Sequence, residues 1–286
     1  MKKLLGFFLG VSVFSIVFFP FEPFVNTACA QGELNPKLKQ LLELSGIQKF
    51  VDNYGENFLT GIRSQMPIGG FGELETLAYD AFEPAKIYAV FNEEFQSQWN
   101  EDFVGALIAK FQQPFFQKFQ EKEDYLNTEQ GAAEFNEYQQ NFLVNNYVSQ
   151  DRIEMIKKLL ATTGVADSAI EVTSSMMRAM FLASNAVADI DAQVTEKEID
   201  DQLAEFKEKT RPQMLQSLLM RYLFAYSDFS DEDLQNYVAF NESAEAQWLI
   251  KHFNSALFKA IRKCGDEFTV GLIKLAKTKQ EKSKSE

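Results

Sequence analysis

Apolar residues recur along this chain in steps of three and four. Leu215, Leu218, Leu219, Tyr222 and Tyr226 form one stripe, and Leu249, Phe253, Leu257, Ala260 or Ile261, Cys264, Phe268 and Leu272 form another. Those steps bring side chains onto one face of a 3.6-residue helix. Alternating apolar and polar runs are missing, as are hairpin turn pairs such as Asn-Gly, so the pattern predicts an all-α helical bundle.

Start and stop signals cut this material into helices. Asn35-Pro36 opens a helix that stops at Ser45-Gly46, where glycine can turn left-handed. Pro84 suits a first helical turn, Asn100 caps a run starting Glu101-Asp102, and Pro114 opens the next helix. Thr195 with Glu198 and Ser230 with Asp233 have the spacing of capping boxes. The stretch Pro67-Ile68-Gly69-Gly70-Phe71-Gly72 reads as a loop, and residues 277–286, which carry no apolar stripe, read as a frayed, disordered tail.

Laid on itself, the chain repeats. Lys39-Gln40-Leu41-Leu42-Glu43-Leu44-Ser45-Gly46-Ile47 parallels Lys157-Lys158-Leu159-Leu160-Ala161-Thr162-Thr163-Gly164-Val165, an offset of 118. Asn100-Glu101-Asp102-Phe103-Val104 parallels Ser230-Asp231-Glu232-Asp233-Leu234, an offset of 130. Two related repeats are expected, the first with a connecting helix over 31–149 and the second over 150–276.

The amino terminus changes the picture of where this bundle works. Lys2 and Lys3 precede an apolar run from Leu4 to Phe21, and the triplet Ala28-Cys29-Ala30 stands before Gln31. That is the layout of a signal peptide cleaved after Ala30, with Ala28 and Ala30 read by the peptidase. The protein is therefore expected in the periplasm or secreted. An uncleaved anchor through residues 4–21 is the rival reading, opposed by Pro20 and Pro23. Lipidation at Cys29 is a second rival, opposed by Asn26 where a lipobox holds a branched apolar residue.

Loss of residues 1–30 removes Lys2, Lys3 and Glu22, so a net charge of −13 becomes −14. So acidic a body repels nucleic acid and anionic lipid. No later apolar run matches the first in length, which predicts no integral membrane segment in the mature chain. Of two cysteines only Cys264 survives cleavage, so no internal disulfide can form and stability must come from packing.

Two stretches resemble a known family. Leu107-Ile108-Ala109-Lys110-Phe111-Gln112-Gln113-Pro114-Phe115-Phe116-Gln117-Lys118-Phe119 and Tyr237-Val238-Ala239-Phe240-Asn241-Glu242-Ser243-Ala244-Glu245-Ala246-Gln247-Trp248-Leu249 resemble the signature helix pair of the bacterial domain-of-unknown-function 2059 family. The first copy has Phe116 where the family has glycine. The second has Ala244 and Ala246 where it has proline and glycine. The resemblance implies an all-helical fold and an envelope location, and carries no catalytic residue.

Chemistry-bearing residues are sparse. His252 is the only histidine, which leaves no multi-histidine metal site; a place one turn from Trp248 reads as stacking. Cys264 lies in an apolar stripe and reads as a buried thiol. Glu93-Glu94, Glu101-Asp102 and Asp231-Glu232-Asp233 read mostly as acids at helix starts. Gly69-Gly70-Phe71-Gly72 lacks the Lys-Ser/Thr of a phosphate loop. Phe111, Phe115, Phe116 and Phe119 read as core, with the wall of an apolar ligand pocket as the alternative.

The expectation is an exported, non-catalytic binding or interaction protein with no cofactor, acting on a protein partner or an apolar ligand. A carrier of a hydrophobic ligand in a Phe-lined cavity and a hydrolase using carboxylates alone are the alternatives.

Overall fold

A computed structural model describes residues 35–56, 59, 71–145, 148–186 and 193–285. Residues 1–34, with Ala28 and Ala30 of the expected cleavage site, and positions 67–70 of the glycine-rich stretch lie outside the described residues. Among the described residues every regular element is a helix.

The first seven helices are α1 (Pro36–Leu44), α2 (Ile47–Asp52), α3 (Phe71–Ala81), α4 (Pro84–Gln96), α5 (Glu101–Phe111), α6 (Pro114–Tyr125) and α7 (Glu129–Asn145). The other five are α8 (Gln150–Thr163), α9 (Val165–Ala186), α10 (Glu196–Ala225), α11 (Asp231–Asn241) and α12 (Ala244–Ser285). Their boundaries follow local chemistry. Asn35 accepts from the Lys37 amide with Pro36 in the first turn, and Asn100 accepts from the Phe103 amide. Both expected capping boxes form, at Thr195/Glu198 and Ser230/Asp233. The exposed Pro212 sits inside α10 and leaves one carbonyl of the preceding turn without an intrahelical donor.

Two expectations are corrected. Phe71 and Gly72, read from sequence as loop, begin α3. Segment 277–286, read as a disordered tail, is helical through Ser285 as the end of α12. Its Lys, Gln and Glu are strong helix formers that continue a long helix without an apolar face.

Gly46 and Gly164 are the positive-φ residues among those described, at 73° and 61°, and each turns the chain between two helices. A β-carbon on Gly164 would meet nothing, whereas one on Gly46 would lie 2.5 Å from the Gln120 amide. Gly164→Ala is expected to cost about 1 kcal/mol of backbone strain alone. Gly46→Ala should cost more, because Gln120 must also leave its 3.2 Å hydrogen bond to Asp124. Urea unfolding midpoints of the two variants check the order.

Two large cores divide the molecule. The first gathers Leu38, Leu41 and Leu42 of α1, Ile87, Phe91 and Phe95 of α4, and Val104 and Leu107 of α5. It is closed by α12, from the far end of the chain, through Leu249, Leu257, Ile261 and Phe268. The second core gathers Ile156, Leu159 and Leu160 of α8, Met214 and Leu218 of α10, and Leu234 and Val238 of α11. It is closed from the first half, by Phe119 of α6, Leu126 at its end and Phe135 of α7. Each half therefore contributes the helix that completes the other's interior. Helix α12 also packs along α9 of its own half, where Thr269 donates to the Ala179 carbonyl at 3.3 Å.

Two helix pairs, one in each part of the chain, are alike. Helices α5 and α11 each span eleven residues and are followed by a two-residue turn, Gln112-Gln113 or Glu242-Ser243. Lys37 of α1 pairs with Glu101 at the start of α5, and Arg152 of α8 pairs with Asp231 at the start of α11.

Candidate functional site

The two seams where the halves close each other bring chemistry together. On the first, α12 lies along α4. Trp248 meets Phe95 edge-on at 5.4 Å and Phe253 meets Phe91 at 5.7 Å. Lys259 reaches Glu94 at 2.6 Å, which holds the Glu94 carboxyl below the ordinary carboxylate range. Glu93 and Glu94, read from sequence among acids at helix starts, thus lie in the last turn of α4, where the dipole disfavours negative charge. Pairing across helices offsets that at Glu94. His252 packs on Trp248 at 5.2 Å, and burial lowers its imidazole pKa. Its Nδ1 is buried without a hydrogen-bond partner, which suits the unprotonated nitrogen of a neutral ring.

Cys264 is buried on the same stripe, and burial pushes its thiol up to about 11. At pH 8 roughly one molecule in a thousand would then carry the thiolate, against about a quarter for an ordinary thiol. A thiol reagent is expected to label the native protein roughly 200-fold more slowly than the urea-unfolded chain, followed by absorbance. Equal rates would contradict a buried thiol.

On the second seam α6 enters the other half. Phe119 is sandwiched, its ring stacked 3.9 Å from Tyr237 and 4.0 Å from Phe229, with Tyr226 edge-on at 5.1 Å. Phe116 lies 4.5 Å from Phe240, which also meets Phe111 at 5.7 Å; Phe115 bridges Phe116 at 5.0 Å and Phe119 at 5.2 Å. The four phenylalanines singled out as a candidate ligand wall are thus brought together, and each one's neighbours here are other rings. Lys118 stands 4.7 Å over the face of Phe229, and Lys122 pairs with Asp228 at 2.5 Å.

Beside this stack sits a carboxylate that the sequence reading did not pick out. Glu123, one turn on from Phe119, is half-buried and accepts a hydrogen bond from the hydroxyl of Tyr226. Burial raises its pKa; Tyr226 and the guanidinium of Arg221 act the other way, and neighbouring Asp124 adds to the rise. Tyr222, Tyr226 and Tyr237 are all raised above the ordinary phenol value, by burial first and then by the charge of Glu123. Arg221 donates to Asn127 at 2.7 Å, its own pKa lowered by burial. Arg152 donates to the carbonyls of Tyr226 and, at 3.0 Å, Phe229, which caps the end of α10.

The chain matches no known family model, curated protein or solved structure.

The seam around Glu123 must therefore be read from its own geometry. Two acids facing each other are the requirement for paired acid–base work. Asp124, the carboxylate next to Glu123 in sequence, is engaged elsewhere, by Lys49 at 2.5 Å and Gln120 at 3.2 Å. The remaining groups around Glu123 are phenol donors and one cation, an arrangement that holds a charge in place. Among the described residues, no three of His, Cys, Asp and Glu are grouped to hold a metal ion, and no helix is long and apolar enough to cross a membrane. The periodicity of α6 could have exposed Glu123, because it stands four places after Phe119 on the apolar face.

Proposed function

We propose that this is an exported, periplasmic protein whose mature body is two related helical repeats and which acts by binding or interaction, without catalysis. The observation that carries this reading is the occupation of the interior. The half-buried carboxylate of Glu123 in the second seam faces tyrosine hydroxyls and a guanidinium of the opposite half, and the clustered phenylalanines face other rings. Those groups are engaged in holding the two halves together, which leaves the acidic surface to meet a partner. Stacking at 3.9 and 4.0 Å on both faces of Phe119 supports packing over a ligand wall. The export half of the proposal rests on the leader and on the resemblance of the helix pairs.

Native mass spectrometry of the protein purified from its own envelope fraction tests both halves of this reading. A chain beginning at Gln31 with no bound adduct is expected. A chain beginning at Met1, or a lipid-sized adduct that survives gentle purification, would overturn it.

A further inference from the structure

Helix α12 shows solvent one continuous face. From Lys251 to Lys277 its exposed positions recur every three or four residues, and six of them are Lys251, Lys259, Arg262, Lys263, Lys274 and Lys277. At 1.5 Å per residue this stripe runs for about 39 Å. The opposite face of α12 is fixed in the first core by Leu257, Ile261, Cys264 and Phe268, so the cations are held pointing outward.

Most of these cations are not neutralised. On other helices Lys49 reaches Asp124, Lys158 reaches Glu242 and Arg211 reaches Asp167. On α12 Lys259 reaches Glu94, whereas among the described residues the other five meet no carboxylate. Glu267 is taken by Lys86, so within the stripe five unpaired cations against Asp266 leave four positive charges in excess. Glu93 of α4 acts on Lys259 from the side and takes one back. A net charge of −13 sets the molecule as a whole against anionic lipid. At physiological salt, however, the Debye length is about 8 Å, so a contact is governed by the charges nearest to it.

The make-up of the stripe selects the kind of partner. Protein interfaces are built around a buried apolar or aromatic centre and are poor in lysine. Here Val270 is the one large hydrophobic residue exposed on the stripe among those described. Lysine is a hydrated point charge on a long stem, and it suits a surface whose negative charge is spread out and needs no matching shape. We propose that the outer face of α12 lays the protein on an anionic phospholipid surface, with Lys251, Arg262, Lys263, Lys274 and Lys277 among the headgroups. The body stays in water, since no helix among the described residues is long and apolar enough to cross the bilayer. This deepens the reading of an envelope protein that acts by binding, and rests on it.

Co-sedimentation with vesicles tests the docking, using the full chain purified from its own envelope fraction. At about 0.15 M salt it is expected to sediment with vesicles of phosphatidylcholine containing about one-third phosphatidylglycerol, and not with phosphatidylcholine alone. At about 1 M salt, where the Debye length falls to about 3 Å, it should be released. Each basic residue at an anionic leaflet strengthens attachment about fivefold, so Arg262→Gln with Lys263→Gln should weaken it about 25-fold. Lys110→Gln with Lys197→Gln removes the same charge from exposed positions on α5 and α10 and should change it less than about twofold. Circular dichroism checks that both variants are folded. Equal sedimentation with neutral vesicles, no sedimentation with either kind, or equal weakening by the two pairs of substitutions would overturn the proposal. So would capture by polyglutamate or DNA with the vesicles left unbound, which would make the partner an acidic protein or a nucleic acid. The N-terminal mass of the same sample reports on export separately, so the two readings fail independently.

Discussion

Phe119→Ala is expected to destabilise the protein by about 3–5 kcal/mol, the range for removing a large aromatic side chain from a packed core. The upper part of that range applies because Phe119 is 1% exposed and stacked on both faces. The rings that flank it belong to the other half: Phe229 lies between α10 and α11, and Tyr237 is on α11. Neither can follow the shortened side chain without disturbing its own contacts, since Arg152 holds the Phe229 carbonyl and Lys118 covers its ring. The cavity should therefore persist. Urea unfolding followed by far-ultraviolet circular dichroism checks it, and a loss below about 1 kcal/mol would mean that the seam relaxes around the gap.

The second large effect depends on pH. Tyr226→Phe removes the hydroxyl that donates to Glu123, and a hydrogen bond to a charged group is worth about 1.5–3 kcal/mol. Burial holds the Glu123 carboxyl above the ordinary carboxylate range in the folded state. The folded protein therefore binds this proton more tightly than the unfolded chain does. Stability attributable to the group is present at low pH and is lost as pH rises from the ordinary carboxylate range through the raised folded value. Without the hydroxyl the charged form loses a donor, the folded pKa climbs further, and the declining window extends upward. The cost of Tyr226→Phe should be largest above the raised folded value, where Glu123 is charged in both states, and fall to about 1 kcal/mol where it is protonated in both. In a Glu123→Gln background it should be that smaller value at every pH. Unfolding midpoints across the series decide, and a cost independent of pH in the unsubstituted background would show that Tyr226 matters only for packing.

Much of the fold was legible because it is written locally. A cap such as Ser230 with Asp233 is satisfied by atoms three residues apart, so spacing alone places it. Proline at the first turn of α1, α4 and α6 and glycine at 46 and 164 act through their own backbone torsions. In the stripe from Leu249 to Phe268, Leu249, Leu257, Ala260, Ile261, Cys264 and Phe268 are buried as the period demands, and Phe253 is partly buried. Local signals failed where none exists. The beginning of α3 in Phe71-Gly72 and the continuation of α12 to Ser285 depend on helix continuity, which glycine and charged residues permit without announcing.

By itself the sequence determined the helical class, the division into capped segments and the residues that line each buried face, since these follow from side-chain chemistry within one or two turns. It also held two pairs of similar segments, but nothing in a stripe says which part of the chain will cover it. Tertiary structure decided that α6 closes the second core and α12 the first. The reason is that an amphipathic helix is satisfied by any apolar groove of fitting shape, and the groove is assembled by helices far away in the chain. The role of Glu123 was settled the same way. A glutamate among the glutamates of α6 takes on a raised pKa and a bond to Tyr226 only when residues about a hundred positions later fold around it.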